Sequence, residues 1–437
     1  MTQLLDRYFA RLRRGHPWQW CGQVVESVGQ TVESAGPLAS VGECCVISDQ
    51  FGNSHPAEVI GFRGPNVLSM PLESTEGIRF GDAVRACGLR PELEVSSALA
   101  GRVLNGMGLP IDGGPSLRTS QSLSLDGTVR SPLERVPIRV PLGTGVRVID
   151  GLLTVGRGQR IGIFGGSGVG KSTLIGMMTR NTQAHVTVVG LIGERGREVN
   201  EFLEESLGPV GRARSVVIVS TSDQSPLMRM RAALAATTVA EHFAGEGRHV
   251  LLVLDSLTRY AMAAREIGLA AGEPPTAKGY TPSVFTRLAR LVERAGQFRR
   301  GSITAFYTVL MEGDDQQDPV VDAVRSLLDG HIVLSRSLAA EGWYPPVGLL
   351  DSISRLMPAV TSPGHREQIA LLRRLAAVYA RSEDLVKIGA YKHGSDPELD
   401  RALRARGAIR EFMIQNSGEQ VEFQACLKRL ATLAGEI

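Results

Sequence analysis

Three stretches of different texture predict a chain of several domains built around an α/β unit. Residues 20 to 90 alternate short Val- and Ile-rich runs with turn signals, while residues 145 to 360 alternate longer apolar runs with helical stretches. Beyond Pro363 the strand-like runs cease and helical periodicity takes over. Turns recurring at roughly 8–12 residues predict a small all-β barrel or sandwich for the first stretch. Alternating strands and helices predict a parallel sheet covered by helices for the second. The third is a small helical domain. A chain of 437 residues exceeds what one core usually holds, in keeping with this division.

Residues 1–19 come first. Leu4, Leu5, Tyr8, Phe9 and Leu12 share one face at helical spacing, with Arg7, Arg11 and Arg14 on the other. Gly15 and Pro17 end the helix. A helix this short is marginal alone in water, so it packs either on its own domain or on a partner. Residues 20–95 hold the β texture, in GQVVESVG, ECCVISD, AEVIGFRG, NVLSMPL and DAVRACG. Residues 96–362 begin with a Gly/Pro-rich connection, Asn105 to Pro115, read as a linker or a set of turns. The apolar runs RIGIFG, VTVVGLIG, SVVIVS, HVLLVLD, SITAFYTVL and HIVLS follow it. Residues 363–437 carry helical stripes through Ile369, Leu372, Ala376 and Tyr379 and through Leu399, Leu403, Ile409 and Phe412. Ser395-Asp396-Pro397-Glu398 supplies capping and first-turn proline signals between them.

Bulk properties exclude several classes. A formal net charge of +3 makes no case for nucleic acid. Five cysteines without a CxxC pair fit reduced thiols rather than a disulfide frame. Adjacent Cys44 and Cys45 point to opposite faces of a strand, which argues against joint metal binding. There is no signal-peptide core and no run of about 20 apolar residues. The expectation is a cytoplasmic protein that reaches a membrane only through a partner.

The strongest chemical signal is Gly165-Gly166-Ser167-Gly168-Val169-Gly170-Lys171-Ser172, which fits GxxxxGK[ST] between an apolar strand and a helical run. Glycines let backbone N–H groups curl round phosphate oxygens, and the helix aims its positive end at them. Lys171 is expected to reach the β- and γ-phosphates and Ser172 to place its hydroxyl on Mg²⁺. Thr173 completes the candidate nucleotide-binding set. Asp255 ends the buried-strand pattern HVLLVL, where a carboxylate holds a Mg²⁺-bound water beside such a loop. Glu194 follows VTVVGLIG directly, as a general base would, with Arg195 as a phosphate contact and Glu198 as a member of the Mg²⁺ water shell. The bland alternative for Glu194-Arg195-Gly196-Arg197-Glu198 is a solvated charged turn; for Asp255 it is a strand-ending turn former.

Together these motifs resemble the catalytic subunits of the rotary ATP synthase class. That resemblance implies a RecA-like P-loop NTPase core with an N-terminal β-barrel and a C-terminal helical domain, arranged in hexamers. GERGREV at 193–199 is similar to the catalytic-glutamate segment of that class, which makes Glu194 the base. DSLTRYAMAAREI, EPPTAKGYTPSVF and LVERAG look like type III secretion ATPases. GSITAFYTVL, EGDDQQDP and LDGHIVLSR look like the flagellar export branch, and IGAYKHGSDP fits both branches. The resemblance implies adenine stacking for Tyr344 in GWYPPV and a trans arginine finger for Arg355 in DSISR. It further implies ATP and Mg²⁺ as ligands and a homohexamer associated peripherally with an inner-membrane export apparatus. The implied partners are a stator-like regulator on the N-terminal helix, a central stalk facing Asp314 to Asp318, an export gate and chaperone–substrate complexes.

The sequence departs from the pattern twice. Thr281 stands where the family carries a second proline, and Ser417 where synthase subunits carry a second adenine aromatic. Two alternatives stand: Phe412 or Phe423 substitutes, or that side of the pocket is open. Rival readings are an injectisome ATPase, a rotary synthase catalytic subunit, a RecA-type RNA translocase and a non-catalytic ring subunit. PSVF and GSITAFYTVL argue against the synthase subunit, and the modest charge and aromatic content of residues 20–90 argue against RNA. A non-catalytic subunit has no need of P-loop, Glu194 and Arg355 together.

Overall fold

The computed structural model describes residues 20–117, 121–127, 130–311 and 318–437. The helix expected within residues 1–19, and Asp314 to Gln317 of the acidic loop, lie outside the described residues.

The N-terminal unit is a closed six-stranded antiparallel barrel, so it has no free edge. Its strands are β1 (Cys21–Val28), β2 (Thr31–Ala35), β3 (Cys44–Ser48), β4 (Ser54–Arg63), β5 (Asn66–Pro71) and β6 (Ala83–Ala86), in the order β1-β2-β5-β4-β3-β6. Alternation fills it: Val24, Val32, Cys45, Ile47, Val59 and Val84 point inward. Sequence texture found five of these strands and missed β2, whose TVESA carries two polar residues and an acid. Cys44 and Cys45 do alternate across the sheet, and none of the five cysteines forms a disulfide.

β7 (Glu92–Val95) pairs with β9 (Gln121–Ser124) in a small ribbon. The inward residues of β7, Leu93 and Val95, join the core of the central unit rather than the barrel. Barrel and central unit are joined by the Arg231–Glu58 ion pair at 2.7 Å and by Ser225 Oγ donating to the Leu72 carbonyl at 2.7 Å.

The central sheet has the order β17-β16-β10-β15-β13-β11-β12-β8, with β14 pairing off this path on β15. Its members are β8 (Val103–Asn105), β10 (Arg160–Gly165), β11 (Val186–Glu194), β12 (Ser215–Thr221), β13 (His249–Asp255), β14 (Gly296–Gln297), β15 (Ser302–Leu310), β16 (Gly330–Val333) and β17 (Ile353–Ser354). From β16 to β8 the pairing is parallel, and β17 turns back antiparallel on the edge. Its inner strands are apolar on both faces because helices cover both. Val188, Ile218 and Leu252 face one core; Val189, Val217 and Leu251 face the other. β8 lies just ahead of the Asn105–Pro115 segment, shares only Asn105 with it and was not read from the sequence; Val103 and Leu104 are buried and pair with Val217 and Ile218. Three residues ahead of a Gly/Pro run are too short for a periodicity signal.

The C-terminal unit is three helices, Pro363–Lys387, Pro397–Met413 and Phe423–Glu436. Proline opens the first two where a missing N–H is harmless. Asp396 caps the second by accepting from the N–H groups of Glu398 and Leu399. No helix among the described residues is long and apolar enough to cross a membrane.

Candidate active site

Parallel pairing brings the C-terminal ends of β10, β15, β13 and β11 to one edge of the sheet. The loop after β10 turns on Gly168 at φ +78° and Gly170 at φ +92°, conformations that glycine adopts without strain. Helix Lys171–Asn181 starts directly after Gly170, so its first free N–H groups face the loop. Ser167, Gly168, Ser172 and Thr173 are exposed; Gly165, Gly166, Val169 and Lys171 are buried. The Lys171 ammonium has no hydrogen-bond partner. Burial pulls its pKa down, opposed by the charges of Asp255 and Glu194. A buried unpartnered cation beside a glycine cradle fits an anionic ligand.

Register places Leu191 beside Asp255, and Leu254 beside Tyr307. Thr308, next along β15, therefore reaches Asp255, and its Oγ1 donates to the carboxylate at 2.6 Å. Burial raises the pKa of Asp255; Thr308 and Lys171 oppose that rise. Glu194 sits past a register shift at the end of β11, after Gly193 at φ +71°. Burial, the charge of Asp255 and a hydrogen bond shared with Glu198 push its pKa up to about 8. Arg259 lies close enough to act on the titration of Lys171, Glu194 and Asp255. The cluster thus sets three carboxylates against two cations, although no three acids among the described residues converge closely enough to hold a metal ion by themselves.

Arg195 stays at the rim: its side chain is 76% exposed and pairs with Glu198 at 3.5 Å. The cation among the buried acids is Arg259, which sequence reasoning passed over inside DSLTRYA. Thr308 was missed too; β15 also carries Ser302, Thr304 and Tyr307, so a hydroxyl in this strand was no distinguishing signal.

Tyr344 flanks the loop. A methyl group on Gly170 would sit 3.8 Å from its ring. The ring is half-exposed, as a stacking surface needs to be. Phe412 and Phe423 do not supply the opposite face. Phe412 is fully buried against Gly151, and Phe423 is 8% exposed. Of the two alternatives stated for Ser417, the substitute aromatic finds no support: Phe412 lies in the helical core and Phe423 is buried. Ser417 itself presents its carbonyl to Arg180 Nη2 at 2.6 Å.

Arg355 is exposed and lies at the other end of the sheet. It follows β17, and its N–H donates to the Asp329 carbonyl at 3.0 Å, beside the start of β10. Five residues of strand separate that point from Gly165, about 16 Å. This exceeds the reach of an arginine side chain, so Arg355 does not serve its own loop.

A glycine loop between parallel strand and helix, with acids on neighbouring strand ends, defines a P-loop nucleotide-binding protein. Residues 145–354 match the ATP synthase alpha/beta family nucleotide-binding domain, and residues 24–88 match that family's beta-barrel domain. Residues 361–432 match the T3SS EscN ATPase C-terminal domain. The chain is 49% identical over 435 residues to a flagellum-specific ATP synthase of Treponema pallidum, covering 99% of this chain and 97% of the relative. It is 50% identical over 438 residues to the flagellum-specific ATP synthase of Salmonella typhimurium (98% and 96%). It is 45% identical over 433 residues to a type 3 secretion system ATPase of Xanthomonas euvesicatoria (99% and 97%). The assembled ATPase EscN of enteropathogenic E. coli superposes with a TM-score of 0.90 at 42% identity, covering 94% of this chain and all of that one. The chain belongs to the ATP synthase alpha/beta family. Within it, the chain is an export ATPase of the flagellum-specific and type III secretion group, with the barrel, nucleotide-binding and helical domains expected.

Proposed function

We propose that this chain hydrolyses Mg·ATP at seams between protomers of a homohexamer and so drives flagellar type III protein export. The observation that carries the reading is the position of Arg355, beyond reach of its own P-loop yet exposed on a sheet edge where a neighbour can use it. Lys171 and the 165–172 amides bind the phosphates, with Ser167, Thr173 and Arg195 at the loop's open side. Tyr344 stacks on the base. Ser172, with Asp255 and Glu198 through water, would hold Mg²⁺, which when bound offsets phosphate charge. Glu194, kept basic by burial and neighbouring acids, orients the attacking water and takes its proton. The neighbour's Arg355 meets the charge that develops on the γ-phosphate, worth about 10³–10⁵ in rate.

Four flagellum-specific relatives stand at 48–50% identity and two more at 45% and 42%, against 45–46% for type 3 secretion system ATPases; the higher values favour flagellar clients. A solved EscN complex with its central stalk EscO, at a TM-score of 0.87, supports a stalk partner here. A stator-like regulator at the N-terminal helix, an export gate and chaperone–substrate complexes complete the proposed partners, at the cytoplasmic side of the inner membrane.

Mixing two inactive variants tests the seam. Lys171→Ala protomers lack a working loop but carry Arg355; Arg355→Ala protomers carry the loop but lack the finger. Mixed rings should regain hydrolysis that neither variant shows alone. Mixtures as inactive as their components, under conditions where rings assemble, contradict the shared site. Loss of filament assembly on deleting the gene tests the flagellar assignment.

A further inference from the structure

The segment after helix Pro397–Met413 does more than end a helix. Gln415 is 2% exposed, yet its side chain belongs to a fully used hydrogen-bond set. Its Oε1 accepts from the Arg147 N–H at 2.8 Å. Its Nε2 donates to the Gly145 carbonyl at 2.8 Å and to the Glu419 carbonyl at 3.0 Å. Its own backbone N–H donates to the Tyr344 carbonyl at 2.8 Å. One residue thereby ties together the turn before helix Arg147–Leu152, the C-terminal domain and the backbone of the aromatic beside the P-loop.

Neighbouring contacts run in the same direction. Arg410, one turn earlier, lies over the Trp343 ring at 5.3 Å. Arg180, in the last turn of the P-loop helix, donates to the Ser417 carbonyl at 2.6 Å. The P-loop helix and the Trp343-Tyr344 segment are thus both held by residues 410–417. A buried amide with every polar atom paired tolerates little displacement, because each broken bond strands a desolvated partner.

We propose that Gln415 is a positioning residue for Tyr344, fixing the base-stacking ring relative to the P-loop and coupling it to the C-terminal helical domain. The proposal rests on the reading of Tyr344 as the base contact. Phe412 and Phe423 are both buried and offer that ring no exposed counterpart, so its placement bears directly on nucleotide affinity. Losing one anchoring hydrogen bond should weaken ATP binding by about 2- to 12-fold.

The test compares KM and kcat for ATP in the assembled full chain for Gln415→Ala, Gln415→Glu, Tyr344→Ala and the Gln415→Ala/Tyr344→Ala double variant. Gln415→Glu keeps the size and the acceptor for Arg147 but turns both donated bonds into oxygen–oxygen repulsion, so it stands in should the alanine variant fail to fold. The expected result is a KM raised about 2- to 12-fold by either Gln415 change, with kcat moved less than KM. The double variant should show the KM of Tyr344→Ala, with no further rise. Additive KM effects in the double variant, or a wild-type KM in both Gln415 variants while Tyr344→Ala raises it, overturn this inference alone. An unchanged KM in Tyr344→Ala overturns the stacking reading and the inference with it.

Discussion

Thr308→Val is the most searching single change at the candidate site, because it removes one hydroxyl and keeps the shape. Thr308 is fully buried, and its Oγ1 donates to the Asp255 carboxylate at 2.6 Å. Burial raises the pKa of the acid, and that bond is the first of the influences that oppose the rise; the second is the charge of Lys171. A hydrogen bond to a charged group contributes about 1.5–3 kcal/mol, equivalent to about 10- to 150-fold in an equilibrium constant. With valine in place, Asp255 protonates more readily and binds a divalent ion less well. The Mg²⁺ concentration giving half-maximal hydrolysis should rise by about 10- to 100-fold, the usual effect of losing a partner behind a metal site. Saturating Mg²⁺ should restore most of kcat, since Lys171 and Glu194 are untouched. Asp255→Asn is the contrast, and Mg²⁺ should not rescue it. The assay is ATP hydrolysis titrated with Mg²⁺ at fixed pH, with a melting curve to confirm the fold. A folded Thr308→Val ring with a wild-type Mg²⁺ response would refute the role given to Asp255.

Because the pKa of Glu194 is pushed up to about 8, kcat/KM should rise with pH as that carboxyl ionises, and Glu194→Gln should lose both the rate and the pH step. The same shift has a stability sign: the folded apo protein keeps a proton that the unfolded chain has released above about pH 4.3, so stability should fall as pH rises through about 8. A melting-temperature series against pH, flatter in Glu194→Gln than in wild type, checks it. A non-hydrolysable ATP analogue at 100 times its Kd should stabilise the wild type by about 2.7 kcal/mol in thermal or denaturant unfolding, and leave Lys171→Ala unshifted. Glu58→Ala should destabilise the chain by about 3–5 kcal/mol, since it leaves Arg231 buried without its carboxylate. Glu58→Leu with Arg231→Leu should recover most of that loss in urea unfolding.

What could be read from the chain was whatever a local pattern announces. Strands such as HVLLVLD and SITAFYTVL advertise burial on both faces, and the glycine loop carries its purpose in its spacing. The acids at 194 and 255 were legible because a strand ending in a carboxylate is itself a short pattern. Thr308, Arg259 and Gln415 were not legible in the same way. Thr308 meets Asp255 across 53 residues, and Gln415 meets Arg147 across 268. Only strand order and domain docking create those neighbours. β8 hid for a related reason: three residues form a strand there only because β12 offers an edge to complete.

The division between local and long-range information bears on how the site works. The locally encoded groups, Lys171, Ser172, Asp255 and Glu194, all come from one protomer and are the ones proposed to hold the nucleotide. The groups that depend on tertiary placement govern where those parts stand. Thr308 favours the charged form of Asp255, and Gln415 is proposed to fix the loop that carries Tyr344. Arg355 is a third case, since neither local pattern nor the fold of one chain brings it to its own P-loop. On the proposed reading, nucleotide binding can belong to a protomer, whereas fast hydrolysis is expected to require the ring. An isolated protomer should bind ATP yet turn it over about 10³- to 10⁵-fold more slowly than the assembled hexamer. Dilution below the assembly concentration should accordingly abolish turnover and spare binding. A monomer retaining full specific activity would mean that a group within the chain, with Arg259 the nearest cation among the acids, does the work assigned to the neighbour.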